Sequence, residues 1–275
     1  MKIHVPDTLT AEISEKYNLS IRLKDKNLVL SGYIPEEKDS FFWESASLDE
    51  NKPLAESLKD VFFDNEYLKY TFNKLIIICV TEKYTIIPED VYSEKDKEKL
   101  FALCFTPKEN SKIIRQNIDN QNIILIFEFD TDAYEFLMRS FVNANFVHVL
   151  SPMLKLWQKN SMTTFPKQVY VYVQQGVSDI ICFEHGDLLF ANSFRYEKEN
   201  DILYFVIYVC KQLNINQLED ELFFCGKISV CKSVMKVLSA YFEHITLLTK
   251  EMEKYTVPVK QEIPVEAIIL TECGL

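Results

Sequence analysis

The feature that most constrains the fold of this chain is an ordered run of extended and helical segments in its second half. Val169–Val173, Ser178–Phe183 and Leu188–Phe194 are short apolar stretches joined by tight turns at Gln174-Gln175-Gly176 and Glu184-His185-Gly186-Asp187. Such runs, separated by turn residues, predict a meander of three strands. A helix follows from Asp201 through Leu213, with Ile202, Phe205, Val206, Val209 and Leu213 at helical spacing. Leu222–Cys225 reads as a strand. Val230, Val234, Val237, Leu238 and Tyr241 mark a further amphipathic helix, and His244–Leu248 closes the run as a strand. The predicted order is βββαβαβ, the pattern of a layered α/β unit.

The first half repeats the plan less cleanly. Leu19–Leu23 and Leu28–Leu30 flank the polar turn Lys24–Asn27 and predict a hairpin. A polar stretch containing Pro53 precedes Leu54, Leu58, Val61 and Phe62, which share one helical face. Lys74–Val80, with three consecutive isoleucines, predicts a strand buried on both faces. Between Thr81 and Asn122 the pattern loosens into a short strand at Tyr84–Ile87, a helix over Ser93–Cys104 and a polar Ser111–Asn122, and this span is taken as an insertion. Ile123–Phe129 is again a strand. Asp132 with Glu135 predicts a capping box opening a helix with Ala133, Phe136, Leu137 and Phe141 inward, and Phe146–Leu150 ends the half as a strand. Ser151-Pro152 opens a linking helix, since proline suits a first helical turn. The expected domains are 1–150, with the insertion at about 81–122, then 151–250, and an extension over 251–275.

Composition narrows the function. At 275 residues the chain can bury a sizeable core, and 48% hydrophobic residues with only 5 glycines exclude a disordered protein. A formal net charge of -11 repels phosphate backbones and anionic lipid, so nucleic acid is not an expected partner. The longest nearly uncharged apolar stretch, Ile202–Cys210, is far short of the roughly 20 residues of a membrane span, so no membrane insertion is expected. The start, Met1–Asp7, lacks a signal-peptide pattern, and the expected location is the cytoplasm. Cys79, Cys104, Cys182, Cys210, Cys225 and Cys231 mostly sit inside apolar runs, as reduced buried thiols do. No CxxC pair occurs, and a metal site is not expected.

The duplicated meander, helix, strand, helix, strand order resembles the actin-like (ribonuclease H-like) ATPase superfamily, nearest to its bacterial cell-division, pilus-assembly and type II secretion branch and to a family of unknown function within it. The parts that carry the resemblance are the meander Val169–Phe194 and the segment Val147–Trp157, similar to that branch's strand and linking helix. It implies an α/β fold of two lobes, each a mixed sheet of about five strands with flanking helices, with an insertion in the first.

The resemblance also implies where nucleotide chemistry would lie. In active members the first hairpin of each lobe holds an acidic residue followed by glycine, because the carboxylate orients Mg²⁺ or water and glycine lets backbone N–H groups approach phosphate. Here the first turn is Lys24-Asp25-Lys26-Asn27, with no glycine, and the second is Gln174-Gln175-Gly176. The adenosine-contacting glycine pair is reduced to Gly226 in Phe223-Phe224-Cys225-Gly226-Lys227. Asp25 reads as a turn residue, and Asp130 and Asp132 as helix-capping acids. His148 reads as packed or hydrogen-bonded, and His185 as an exposed turn residue.

The expectation is therefore a non-catalytic protein-binding scaffold with no catalytic residues, no cofactor and an unidentified protein partner. The alternative is a divergent ATP-binding enzyme that uses ATP and Mg²⁺, with Gly176 and Gly226 facing the nucleotide. A third reading rests on the apolar tail segment Val265–Leu270, which is suited to pairing with a sheet edge.

Overall fold

A computed structural model describes residues 2–35, 37–118, 121–162 and 166–248 of the chain; the extension over 251–275, with Val265–Leu270, lies outside the described residues. The chain divides into two compact units between Ser151 and Pro152.

In the first unit β1 (Asn18–Lys24), β2 (Asn27–Ile34) and β3 (Glu37–Ser47) form an antiparallel meander, and α1 (Leu54–Asp64) leads to β4 (Lys74–Cys79), parallel to β1. Then come β5 (Tyr84–Pro88), α2 (Lys97–Cys104), β6 (Ser111–Ile118), β7 (Ile123–Asp130), α3 (Thr131–Ser140) and β8 (Asn145–His148), the last parallel to β4. The sheet order is β3-β2-β1-β4-β8. Ile76, Ile77 and Ile78 in central β4 are all buried, so alternate side chains are covered on both faces.

Two elements depart from the expected first half. β3 lies in the stretch read as polar; it is the edge strand, where only one side of the ladder is paired and outward polar residues are tolerated. The Ser111–Asn122 stretch supplies edge strand β6, which pairs antiparallel with β7, while β5 lines the other side of β7. This small sheet therefore runs on to Asp130, beyond residue 122. It encloses Ile87, Ile113, Ile124 and Ile126 with Phe101 of α2.

The helix caps also differ. The Asp130 carboxylate accepts from the Ala133 backbone N–H at 2.8 Å and caps α3, while Asp132 accepts from the Asn110 amide at 2.9 Å. The expected capping box at Asp132 and Glu135 is displaced because the helix begins at Thr131, two residues earlier than a cap at Asp132 would allow. The strand before the link stops at His148, and α4 (Leu150–Ser161) already includes Leu150.

In the second unit β9 (Gln168–Val173), β10 (Val177–Glu184) and β11 (Asp187–Arg195) form the expected meander, followed by α5 (Glu199–Gln212), β12 (Glu221–Gly226), α6 (Ile228–Leu238) and β13 (His244–Leu247). The sheet order is β11-β10-β9-β12-β13. Val169, Val171, Val173, Ile180 and Cys182 point to the face covered by α5 and α6, where Val206, Val209, Val230 and Val234 meet them. Each such fully buried aliphatic side chain contributes about 1.5–3 kcal/mol. On the opposite face Tyr170 is stacked between Trp157 of α4 and Phe223, with ring centroids 4.6 and 4.9 Å away. Asp201 sits inside the first turn of α5, not at its start, and its carboxylate accepts from the backbone N–H groups of Glu197 and Lys198 at 2.9 and 2.8 Å.

The two units match in register as well as order. Asn18 to Leu23 pair with Lys74 to Cys79, and Gln168 to Val173 pair with Glu221 to Gly226, both parallel. In each, the residue after the second strand donates to the last paired carbonyl of the first: Val80 N–H to Leu23 O at 2.9 Å, Lys227 N–H to Val173 O at 2.8 Å. The fold is the duplicated α/β plan with two five-stranded mixed sheets, plus a three-stranded sheet in the first unit.

Candidate functional site

The candidate site positions are the turns that end β1 and β9 and the glycine that ends β12. Lys24 and Asn27 are paired, so the first turn is a two-residue connection, Asp25-Lys26. Asp25 is exposed and has φ of 50°, a left-handed conformation that aspartate tolerates better than most side chains. The Lys26 carbonyl accepts from the Leu48 N–H at 2.6 Å, tying the turn down to the end of the meander. Asp25 therefore stands where the sequence placed it, as a turn residue.

The second turn is built differently. Gly176 has φ of 75°, and nothing lies within 4 Å of where a Cβ would stand. Backbone bonds hold the turn: Gln174 N–H donates to Val177 O at 2.9 Å and Tyr196 N–H donates to Gly176 O at 3.1 Å. The Tyr196 hydroxyl donates to Gln174 O at 2.6 Å. The Gln174 side chain is buried, and its amide donates to Asp179 Oδ2 at 2.9 Å. Ser193 Oγ donates to the other carboxylate oxygen of Asp179. Asp179 is 2% exposed and lies beside Ser193 in the β10–β11 register. Sequence reasoning passed over Asp179, Ser193 and Tyr196. The available signal was an aspartate beside an otherwise apolar strand core, Ile180-Ile181-Cys182-Phe183.

Gly226 pairs with Val173, the residue just before the Gln174–Gly176 turn, so Gly176 and Gly226 come to the same end of the second sheet. Gly226 has φ of 100°, and a Cβ there would lie 2.1 Å from Val173 O. Its lack of a side chain is what lets the backbone turn over the end of β9 into α6. That helix begins with Lys227 as N-cap and has no side-chain cap, leaving N–H groups of its first turn directed outward from the sheet end.

His148 is fully buried at the end of β8. Its Nε2 lies 2.8 Å from Thr81 O and its Nδ1 accepts from Leu150 N–H at 3.3 Å, which fixes the neutral tautomer with the proton on Nε2. Tyr84 and Phe127 flank the ring at 4.6 and 5.3 Å. Burial holds its pKa down at about 4, below the ordinary 6.5. The side-chain oxygen Oε1 of Gln116 accepts from His148 N–H and Ser151 Oγ at 2.9 and 2.6 Å, so the group joins the small sheet to the main one. His185 is exposed in the β10–β11 turn with φ of 52°. Burial also pushes the Cys182 and Cys210 thiols up to about 12, far from a reactive thiolate. Among the described residues no three His, Cys, Asp or Glu side chains converge as a metal-holding group, and no helix is long and apolar enough to cross a membrane.

Comparison with known proteins places this architecture. The family described as "Protein of unknown function (DUF3822)" matches residues 6–245. The chain belongs to this family. A Bacteroides thetaiotaomicron protein with an actin-like ATPase fold and unknown function is similar to this DUF3822 chain at 27% identity, covering 98% of this chain and 100% of the other with a TM-score of 0.82. A chain of the PilM-PilN type IV pilus biogenesis complex superposes with a TM-score of 0.55 at 8% identity, covering 94% of this chain and 97% of that one, a likeness of fold. No curated protein matches by sequence. The DUF3822 chain thus has an actin-like ATPase fold.

Proposed function

We propose that this DUF3822 chain is a non-hydrolysing member of the actin-like fold that works as a protein-binding scaffold. The observation that carries this reading is the state of Gln174. It stands where the resemblance expects the carboxylate of the second lobe, it is neutral, and its amide is turned inward onto Asp179. An amide that donates into the sheet offers no charge to a divalent cation. Asp179 itself already accepts from two side chains, and the first-lobe acid, Asp25, occupies a two-residue turn without glycine. A scaffold keeps the two-lobe architecture while its surface does the work. The test is hydrolysis by the purified protein: none above background is expected. Mg²⁺-dependent ATP hydrolysis abolished by Asp25→Asn or Asp130→Asn would overturn the reading.

A second reading, a divergent ATP-binding enzyme, is favoured by one feature. Gly176 and Gly226 lie at the same sheet end as the uncapped start of α6, and helix N-termini attract phosphate. It requires stabilisation by Mg²⁺-ATP that is lost in Gly176→Asn, a residue that tolerates the φ of 75° and whose Cβ would meet open space.

A further inference from the structure

The chain passes from the first unit to the second at Ser151-Pro152, inside the first turn of α4. Pro152 brings no N–H to that turn, and side chains of the first unit hold the residues before it. His148 Nδ1 accepts from the Leu150 N–H at 3.3 Å, and Gln116 Oε1 accepts from both the His148 N–H and Ser151 Oγ. His148, Val149, Leu150 and Ser151 are all buried, the most open of them at 4%.

Each strand of the small sheet reaches this junction. β6 supplies Gln116, while Tyr84 of β5 and Phe127 of β7 sit against the His148 ring. The register explains why. Tyr84 and Ile114 both pair with Phe127, and Gln116 pairs with Leu125, so these residues share one face of the sheet. Ile87, Ile113, Ile124 and Ile126 point the other way, onto Phe101 of α2. An antiparallel sheet that only decorated the surface would bury one face and wet the other. Here Tyr84, Ile114, Leu125 and Phe127 are buried too. One face makes the insertion's own core, and the other closes on His148 and the start of α4.

We infer that the insertion is a clamp on the passage between the units, and that its stability is transmitted to the helix that carries the chain across. The start of α4 comes free of Gln116 only by breaking the bonds to Oε1 or by carrying the insertion with it. Local opening of the insertion and of residues 150–154 is therefore one event. A partner that prefers the closed insertion tightens this start, and one that prefers it displaced releases it, without touching α4 itself. The coupling is independent of whether the chain handles nucleotide.

The test is amide hydrogen exchange of the full-length protein, followed over residues 150–154. Gln116→Met, which keeps the side-chain length and deletes the acceptor, is expected to quicken exchange there by roughly tenfold. Ile113→Val trims the far face of the insertion without touching the junction, and is expected to quicken the same amides by about threefold to tenfold. Val61→Ala, a buried position of α1 outside the insertion, is the control: it lowers the melting midpoint and leaves residues 150–154 exchanging as in wild type. Unchanged exchange in Ile113→Val overturns the inference even where Gln116→Met quickens it, because the bonds to Oε1 are then a local tie with no transmission from the insertion. An equal increase in Val61→Ala overturns it as well, since the effect is then general stability. Ile113→Val and the control decide by themselves where Gln116→Met does not fold.

Discussion

At the scale of single residues, burial sets what each polar group can do. His148 is neutral in the folded chain with a pKa near 4, against about 6.5 when exposed. As pH falls the unfolded chain takes up this proton first, so the contribution of a neutral His148 is fully present above about pH 6.5 and is lost as pH falls toward 4. The difference corresponds to about 3 kcal/mol. Urea denaturation between pH 7 and pH 4 should show wild type losing more stability than His148→Gln by about that amount, and parallel curves would contradict the assignment. The two glycines separate in the same way. Gly226→Ala forces a Cβ to within 2.1 Å of Val173 O and is expected to cost about 3 kcal/mol or more. Gly176→Ala meets open space and costs only about 1 kcal/mol of backbone strain, as chemical denaturation will report. The sequence placed Asp25 and His185 in turns and read His148 as packed on its strand, and that is where they lie, because strand ends and turn tetrads are recognisable from local residue types. It did not show where the Gln174 amide points, since the deciding partner, Asp179, is reached only after the chain has turned.

At the scale of elements, what was legible follows from how each strand is covered. β4 and β9 are central and buried on both faces, so their apolar runs stand out. β3 and β6 are edge strands with one paired side, and the polar residues they carry outward hide them in a polar stretch. β7 was visible as a strand, but its pairing with β5 and β6 depends on contacts that no local pattern encodes. The start of α3 was placed too late, because Asp130 and Asp132 are both reasonable caps and only the backbone geometry selects one. Asp130→Ala is expected to destabilise the protein by about 1 kcal/mol by removing the Ala133 N–H partner. Asp132→Ala, which loses one exposed contact to Asn110, should be nearly neutral in the same thermal-denaturation measurement.

At the scale of the whole molecule, the duplicated plan was readable because the two halves share element order, and the parallel registers β1–β4 and β9–β12 repeat it residue by residue. That architecture is the actin-like ATPase fold, carried by a DUF3822 chain. The central claim is that the fold persists without nucleotide chemistry, and a thermal melt in Mg²⁺-ATP addresses it most directly. A ligand present at about 100 times its Kd stabilises a protein by about 2.7 kcal/mol, enough to raise a melting midpoint by several degrees. The midpoint is expected to stay unchanged up to millimolar Mg²⁺-ATP. A midpoint that climbs with Mg²⁺-ATP concentration, and no longer does so when Gly176 is replaced by asparagine, which tolerates its φ of 75°, would contradict the scaffold and establish a working nucleotide site.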